Sequence, residues 1–128
     1  MKICFITSQK ESKQSGITDY VELITQELEK LGHEIERYFI NKECGALTDL
    51  PKADLYSIQF APYAYANNGM PKTILNFLAK ELSSKRVHLN FHEIWVGAYP
   101  RASWKEKGIG WLQKKLILGF INQCKPCL

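Results

Sequence analysis

Val87-His88-Leu89-Asn90-Phe91-His92-Glu93-Ile94-Trp95 begins as an alternation of apolar and polar residues and ends in an imidazole, a carboxylate and an indole. Side chains of an extended segment alternate between faces, so Val87, Leu89 and Phe91 share one side while His88, Asn90 and His92 share the other. The segment reads as a strand over Arg86 to His92 whose last residues emerge at a sheet's carboxyl edge. In open α/β sheets ligands bind at that edge, where helix N-termini and connecting loops converge. His92 and Glu93 are therefore the leading site candidates. The plain alternative is a core strand ending in a satisfied histidine.

Working outward, the same logic accounts for most of the chain. Lys2 to Thr7 is a near-continuous apolar run, as expected of a strand covered on both faces. After the polar loop Ser8 to Ser15, Ile17, Tyr20, Val21, Ile24, Leu28 and Leu31 recur at helical spacing, and Gly32 suits the position just past a helix end. Glu34 to Ile40 and Asp54 to Phe60 read as two further strands. Between them, Asn41 to Lys52 is a loop with room for one helical turn at Ala46 to Leu50. Pro62 and Asn67-Asn68-Gly69 mark a tyrosine-rich loop. Pro71 then opens a helix buried through Ile74, Leu75, Leu78 and Leu82. Beyond the fourth strand, Glu93 to Ser103 forms a loop and Trp104 to Gln123 a helix, with Gly108 and Gly110 as points where it could break. Its expected apolar face is Leu112, Leu116, Ile117, Phe120 and Ile121, with Lys105, Lys107, Lys114 and Lys115 elsewhere. That pattern fits a helix covering the sheet, the commoner case, or one lying on a membrane surface. Strands alternating with helices imply right-handed βαβ units and a doubly wound parallel sheet.

Composition sets the outer bounds. A chain of 128 residues, 45% hydrophobic and 23% charged, supports one core and is too short for two ordinary domains. The net charge of +4 is spread among acids, which argues against nucleic-acid binding. The first apolar run is too short for a secretory signal, and no stretch approaches the ~20 apolar residues of a membrane span. A cytoplasmic chain with four reduced cysteines is the expectation. Four strands fall short of the usual doubly wound sheet, which suggests the front part of something longer.

Ser15-Gly16-Ile17-Thr18-Asp19-Tyr20 sits where the first helix begins. Glycine there permits close backbone approach, and unpaired N–H groups of a first helical turn favour an anion such as phosphate. The segment is neither a dinucleotide fingerprint nor a P-loop, since the further glycines and the Gly-Lys-Ser/Thr are missing. A bare turn with Ser15 or Thr18 as helix cap is the structural alternative. His88 and His92 lie roughly 13 Å apart on a strand and cannot share a metal ion, and H-E-x-x-H fails at Val96, so no metal is expected. Cys124-Lys125-Pro126-Cys127 has the form of a redox dithiol but follows a helix instead of starting one. No acidic pair follows the first strand, which disfavours a phospho-accepting receiver.

Three ordered segments carry a resemblance: Ser15 to Tyr20 after the first strand, Gln59-Phe60-Ala61-Pro62-Tyr63 after the third, and Phe91 to Trp95 after the fourth, with Leu31-Gly32-His33-Glu34 between them. Together they resemble the N-terminal domain of the retaining GT-B glycosyltransferases, specifically the large family 4-like group that includes many bacterial cell-surface sugar transferases. The resemblance implies a Rossmann-like acceptor-side domain over residues 1–128. It also implies transfer of a sugar from a nucleotide sugar to a glycan or lipid-linked acceptor, with retention and without metal or other cofactor. His92 would contact and orient the donor sugar. Ser15, Gly16, Ile17 and Asp19 would lie near the leaving diphosphate, and Gln59, Tyr63, Glu93 and Trp95 on the acceptor side. Where the family often has paired glycines, Ser15 precedes Gly16. The C-terminal domain that holds the nucleotide is absent from the sequence, so the chain alone is expected to be inactive and to need that domain as a partner. Peripheral contact with the inner membrane face would suit a lipid-linked acceptor. A competing resemblance is to a flavodoxin-like module, with residues 15–19 as flavin-phosphate loop and Trp95 or Tyr99 stacking on the ring.

Overall fold

The computed structural model describes residues 1–8, 16–41 and 48–126. Its elements are β1 (Lys2–Ser8), α1 (Gly16–Lys30), β2 (Glu34–Ile40), β3 (Leu55–Phe60), α2 (Pro62–Tyr65), α3 (Lys72–Leu82), β4 (Val87–Phe91) and α4 (Trp104–Cys124). The four strands form one all-parallel sheet in the order β2-β1-β3-β4, flanked by helices, so the doubly wound α/β, Rossmann-like arrangement is the observed fold.

Alternation along the strands separates two cores. Ile3 and Phe5 of β1 turn to one face and pack with Ile17, Val21, Ile24 and Leu28 of α1 and with Ile35 and Leu55. Cys4 and Ile6 turn to the other, joining Ile58, Phe60, Leu78, Leu82, Ile117 and Phe120 beneath α3 and α4. A right-handed crossover from β1 to β2 runs opposite in direction to one from β3 to β4, which puts their helices on opposite faces. The reversal falls between β1 and β3. Their carboxyl ends thus define the switch point at which such sheets bind ligands.

Several local expectations need correction. The segment after Phe60 is not only loop: Pro62, well suited to a first helical position, starts the four-residue α2, which buries Tyr65. The Tyr65 hydroxyl reaches the carbonyls of Ile6 at 3.1 Å and Gln59 at 2.8 Å, tying the ends of β1 and β3 together, and full burial pushes its pKa strongly up. Pro71 caps α3 from outside instead of lying in its first turn. α4 runs unbroken through Gly108 and Gly110, started by a capping box in which Ser103 and Glu106 satisfy each other's backbone N–H groups. Its buried set includes Gly110, Gln113 and Cys124, whereas Leu112 is exposed. Leu31 is also exposed, because it already lies in the turn where Gly32 takes φ +85°. Of the turn expected at residues 46–50, 46 and 47 lie outside the described residues, and Thr48 to Leu50 are not helical.

Candidate functional site

The polar face of β4 meets the polar residues of β3. Register places Ser57 beside His88 and Gln59 beside Asn90, all on the face that α1 covers farther along the sheet. Gln59 is 2% exposed and anchors the group. Its Nε2 donates to Ser57 Oγ at 2.8 Å, and Ser57 Oγ lies 3.0 Å from His88 Nδ1. On its other side Oε1 accepts from Asn90 Nδ2 at 3.0 Å and lies 2.9 Å from His92 Nε2. A carbonyl oxygen can only accept, so His92 carries its proton on Nε2 and keeps the lone pair on Nδ1. The backbone N–H of His92 donates to the Phe60 carbonyl at 2.9 Å, holding the strand end to β3.

His92 is the junction with the first helix. The ring of Tyr20 packs edge-on against it, with centroids 5.2 Å apart. Since neighbouring strands lie ~5 Å apart, β1 and β4 are separated by about 10 Å across β3, and Tyr20 spans that gap from the second turn of α1. The start of α1 and the end of β4 therefore share one rim. Burial lowers the pKa of His92, against the weaker upward pull of the Glu93 carboxylate. The imidazole is thus held neutral near pH 7. The unfolded chain binds the proton more readily, so the associated stability is complete above the ordinary imidazole range and declines as pH falls through it.

Gly16 opens α1, is exposed, and has nothing among the described residues within 4 Å of where a Cβ would sit. Packing does not explain this glycine, which leaves room for an approach from outside to the N–H groups of the first turn. Asp19, in that same turn, suits the helix dipole but opposes an incoming anion, so a sugar hydroxyl fits it better than a phosphate. Ile17 packs into the α1 core and lines, with Thr7, Ser8, Thr18, Glu22, Arg37 and Phe39, a cavity of about 150 Å³. That is smaller than the ~300 Å³ at which cofactor pockets begin. Ser15 lies outside the described residues.

Other expected members are placed elsewhere. Glu93 follows His92 and is exposed. Tyr63 lies on α2, half-exposed, with its ring where a side chain of Gly69 would otherwise stand. Trp95 is turned to the opposite face: it packs against the α3/α4 core, and Lys114 Nζ lies 5.2 Å from its ring centroid. Tyr99 bonds Glu106 through its hydroxyl. Both aromatic rings proposed for flavin stacking are thus engaged with α4.

Sequence reading missed Gln113, which is buried among the rim loops. Its Oε1 accepts from Val96 N at 2.8 Å and its Nε2 donates to the Gly69 carbonyl at 2.9 Å, joining the loops that follow β3 and β4. Tyr20 on His92 was also missed, because only the fold brings them together. Cys124 ends α4 and burial pushes its thiol up to about 11, the opposite of an activated thiolate, while Cys127 lies outside the described residues. Among the described residues no three His, Cys, Asp or Glu side chains cluster as metal ligands, and no helix is long and apolar enough to cross a membrane. Comparisons of the chain with protein-family models, with curated proteins and with solved structures find no match.

Proposed function

We propose that this chain is the acceptor-side domain of a retaining GT-B glycosyltransferase of the family 4-like kind, with the donor sugar seated between the first turn of α1 and His92. The observation that carries this reading is the contact of Tyr20 with His92, which brings two of the three resemblance segments to one rim. The third segment joins them through Gln59. A neutral imidazole with its Nε2–H committed to Gln59 offers Nδ1 as an acceptor for a sugar hydroxyl. The positive end of α1, which begins at the exposed Gly16, stabilises charge developing on the departing diphosphate. Glu93 and Tyr63 remain available to an acceptor, whereas Trp95 supports the rim from behind. In this reading the nucleotide itself is held by a second α/β domain, as the resemblance implies.

Two measurements test the proposal. The chain incubated with a panel of nucleotide sugars and saccharide acceptors should give no transfer product by mass spectrometry; transfer by this chain alone would refute the assignment of the nucleotide to another domain. Saturation-transfer NMR should show weak contact of the donor's sugar protons with the wild-type chain and none with His92→Ala. Equal contact with both, or a flavin spectrum in the purified protein, would remove the transferase reading.

A further inference from the structure

The outward side of α4 carries residues that neither the fold nor the rim uses. At 100° per residue the buried positions Gly110, Gln113, Ile117, Phe120 and Cys124 form one side of the helix. Trp104, Trp111 and Leu118, spaced by seven, run along the far side, and drift by only ~20° per heptad. They are 88%, 57% and 46% exposed. Lys107 flanks this stripe on one side and Lys115 on the other, each about 40° from its centre, while Lys114, farther round, is already stacked on Trp95. The lysines stand close to indoles: Lys107 Nζ is 5.2 Å from the Trp104 centroid and Lys115 Nζ 3.9 Å from that of Trp111. The helix has one carboxylate, Glu106, and it is committed to the Ser103 cap and the Tyr99 hydroxyl.

We infer that this face of α4 docks on an anionic lipid bilayer. Trp104, Trp111 and Leu118 enter the boundary between headgroups and acyl chains while Lys107 and Lys115 meet lipid phosphates. Indoles favour that boundary, and an apolar stripe edged by lysines is the composition of helices that lie in it. The stripe extends over about 21 Å along the helix, parallel to the surface it would lie on. Charge argues against a second copy as the occupant, because two such faces would set lysine against lysine. A bilayer rich in phosphate supplies the complementary charge along the full length. The inference is independent of the sugar-transfer reading.

Co-sedimentation with vesicles tests it. The chain should bind phosphatidylcholine vesicles containing roughly a quarter phosphatidylglycerol, with a blue shift of tryptophan emission, and bind phosphatidylcholine alone far less. Added salt should weaken the binding. Lys107→Gln with Lys115→Gln should lower the partition coefficient roughly thirtyfold, at about a fivefold factor per lysine, and Trp104→Ser with Trp111→Ser should abolish insertion. All four side chains are exposed, so circular dichroism should be unchanged. Absence of wild-type binding to the anionic vesicles would overturn the proposal, as would undiminished binding of the tryptophan variant. A wild-type dimer in size-exclusion chromatography that the tryptophan variant converts to monomer would assign the face to self-association instead.

Discussion

Gly110→Ala should destabilise the protein by about 1–3 kcal/mol, although alanine is the better helix former by about 1 kcal/mol. A Cβ built at Gly110 would overlap the carbonyl oxygen of Val96. That carbonyl cannot easily retreat, because the Val96 N–H is bonded to Gln113 and Trp95 is packed beside it. The loop is also close in return: Gly97, at φ +79°, faces the Glu106 carbonyl where its own side chain would be. Two residues earlier on the same helix the sign should invert. Gly108 is exposed and has nothing among the described residues within 4 Å of its Cβ position, so Gly108→Ala should stabilise by roughly 0.5–1 kcal/mol. Urea unfolding of the pair separates propensity from packing. Stabilisation by both substitutions would mean that α4 does not dock against the Trp95–Gly97 loop.

Gln59→Leu should cost about 2–4 kcal/mol, since one nearly isosteric change leaves several buried or half-buried polar groups without a partner. Ser57 loses a donor, and Asn90 and His92 lose their shared acceptor. Hydrophobic gain at this position is small beside that loss, because the neighbours are polar and the leucine would face them. A double-mutant cycle with His92→Ala should return a coupling of roughly 0.5–3 kcal/mol. Additive effects would dissolve the network as a unit and, with it, the reason for the fixed tautomer of His92.

Strands were the most legible part of the chain, because burial writes directly into them: the run Ile3 to Ile6 and the alternation Val87 to Phe91 leave little choice of element or face. The carboxyl rim followed from that, since parallel strands put the residues after β1, β3 and β4 at one end. Side-chain partnerships across the rim were not legible. Gln113 reads as surface next to Leu112, yet it is buried because Val96 N–H and the Gly69 carbonyl need partners there, a demand written in two distant loops. Trp95 illustrates the limit of extending strand logic into a loop. Alternation ends at Phe91, the chain turns through Gly97, and the indole reaches the opposite core. α2 escaped notice because four residues are too few for a helical period to appear. Tyr20 reads as part of the buried face of α1, but its position at the rim end of that face turns it onto His92.

His92 is a neutral, Gln59-held imidazole facing the start of α1, and the proposed function has it meet a sugar nucleotide. The direct measurement is an NMR pH titration of the His92 ring, run with and without a nucleotide sugar. The ring should titrate below the ordinary imidazole value of about 6.5, with the proton on Nε2 at neutral pH, and the ligand should shift both its resonances and the amides from Gly16 to Tyr20. Titration of His92 at or above that value, with neither the ring nor those amides responding to any nucleotide sugar, would contradict the account.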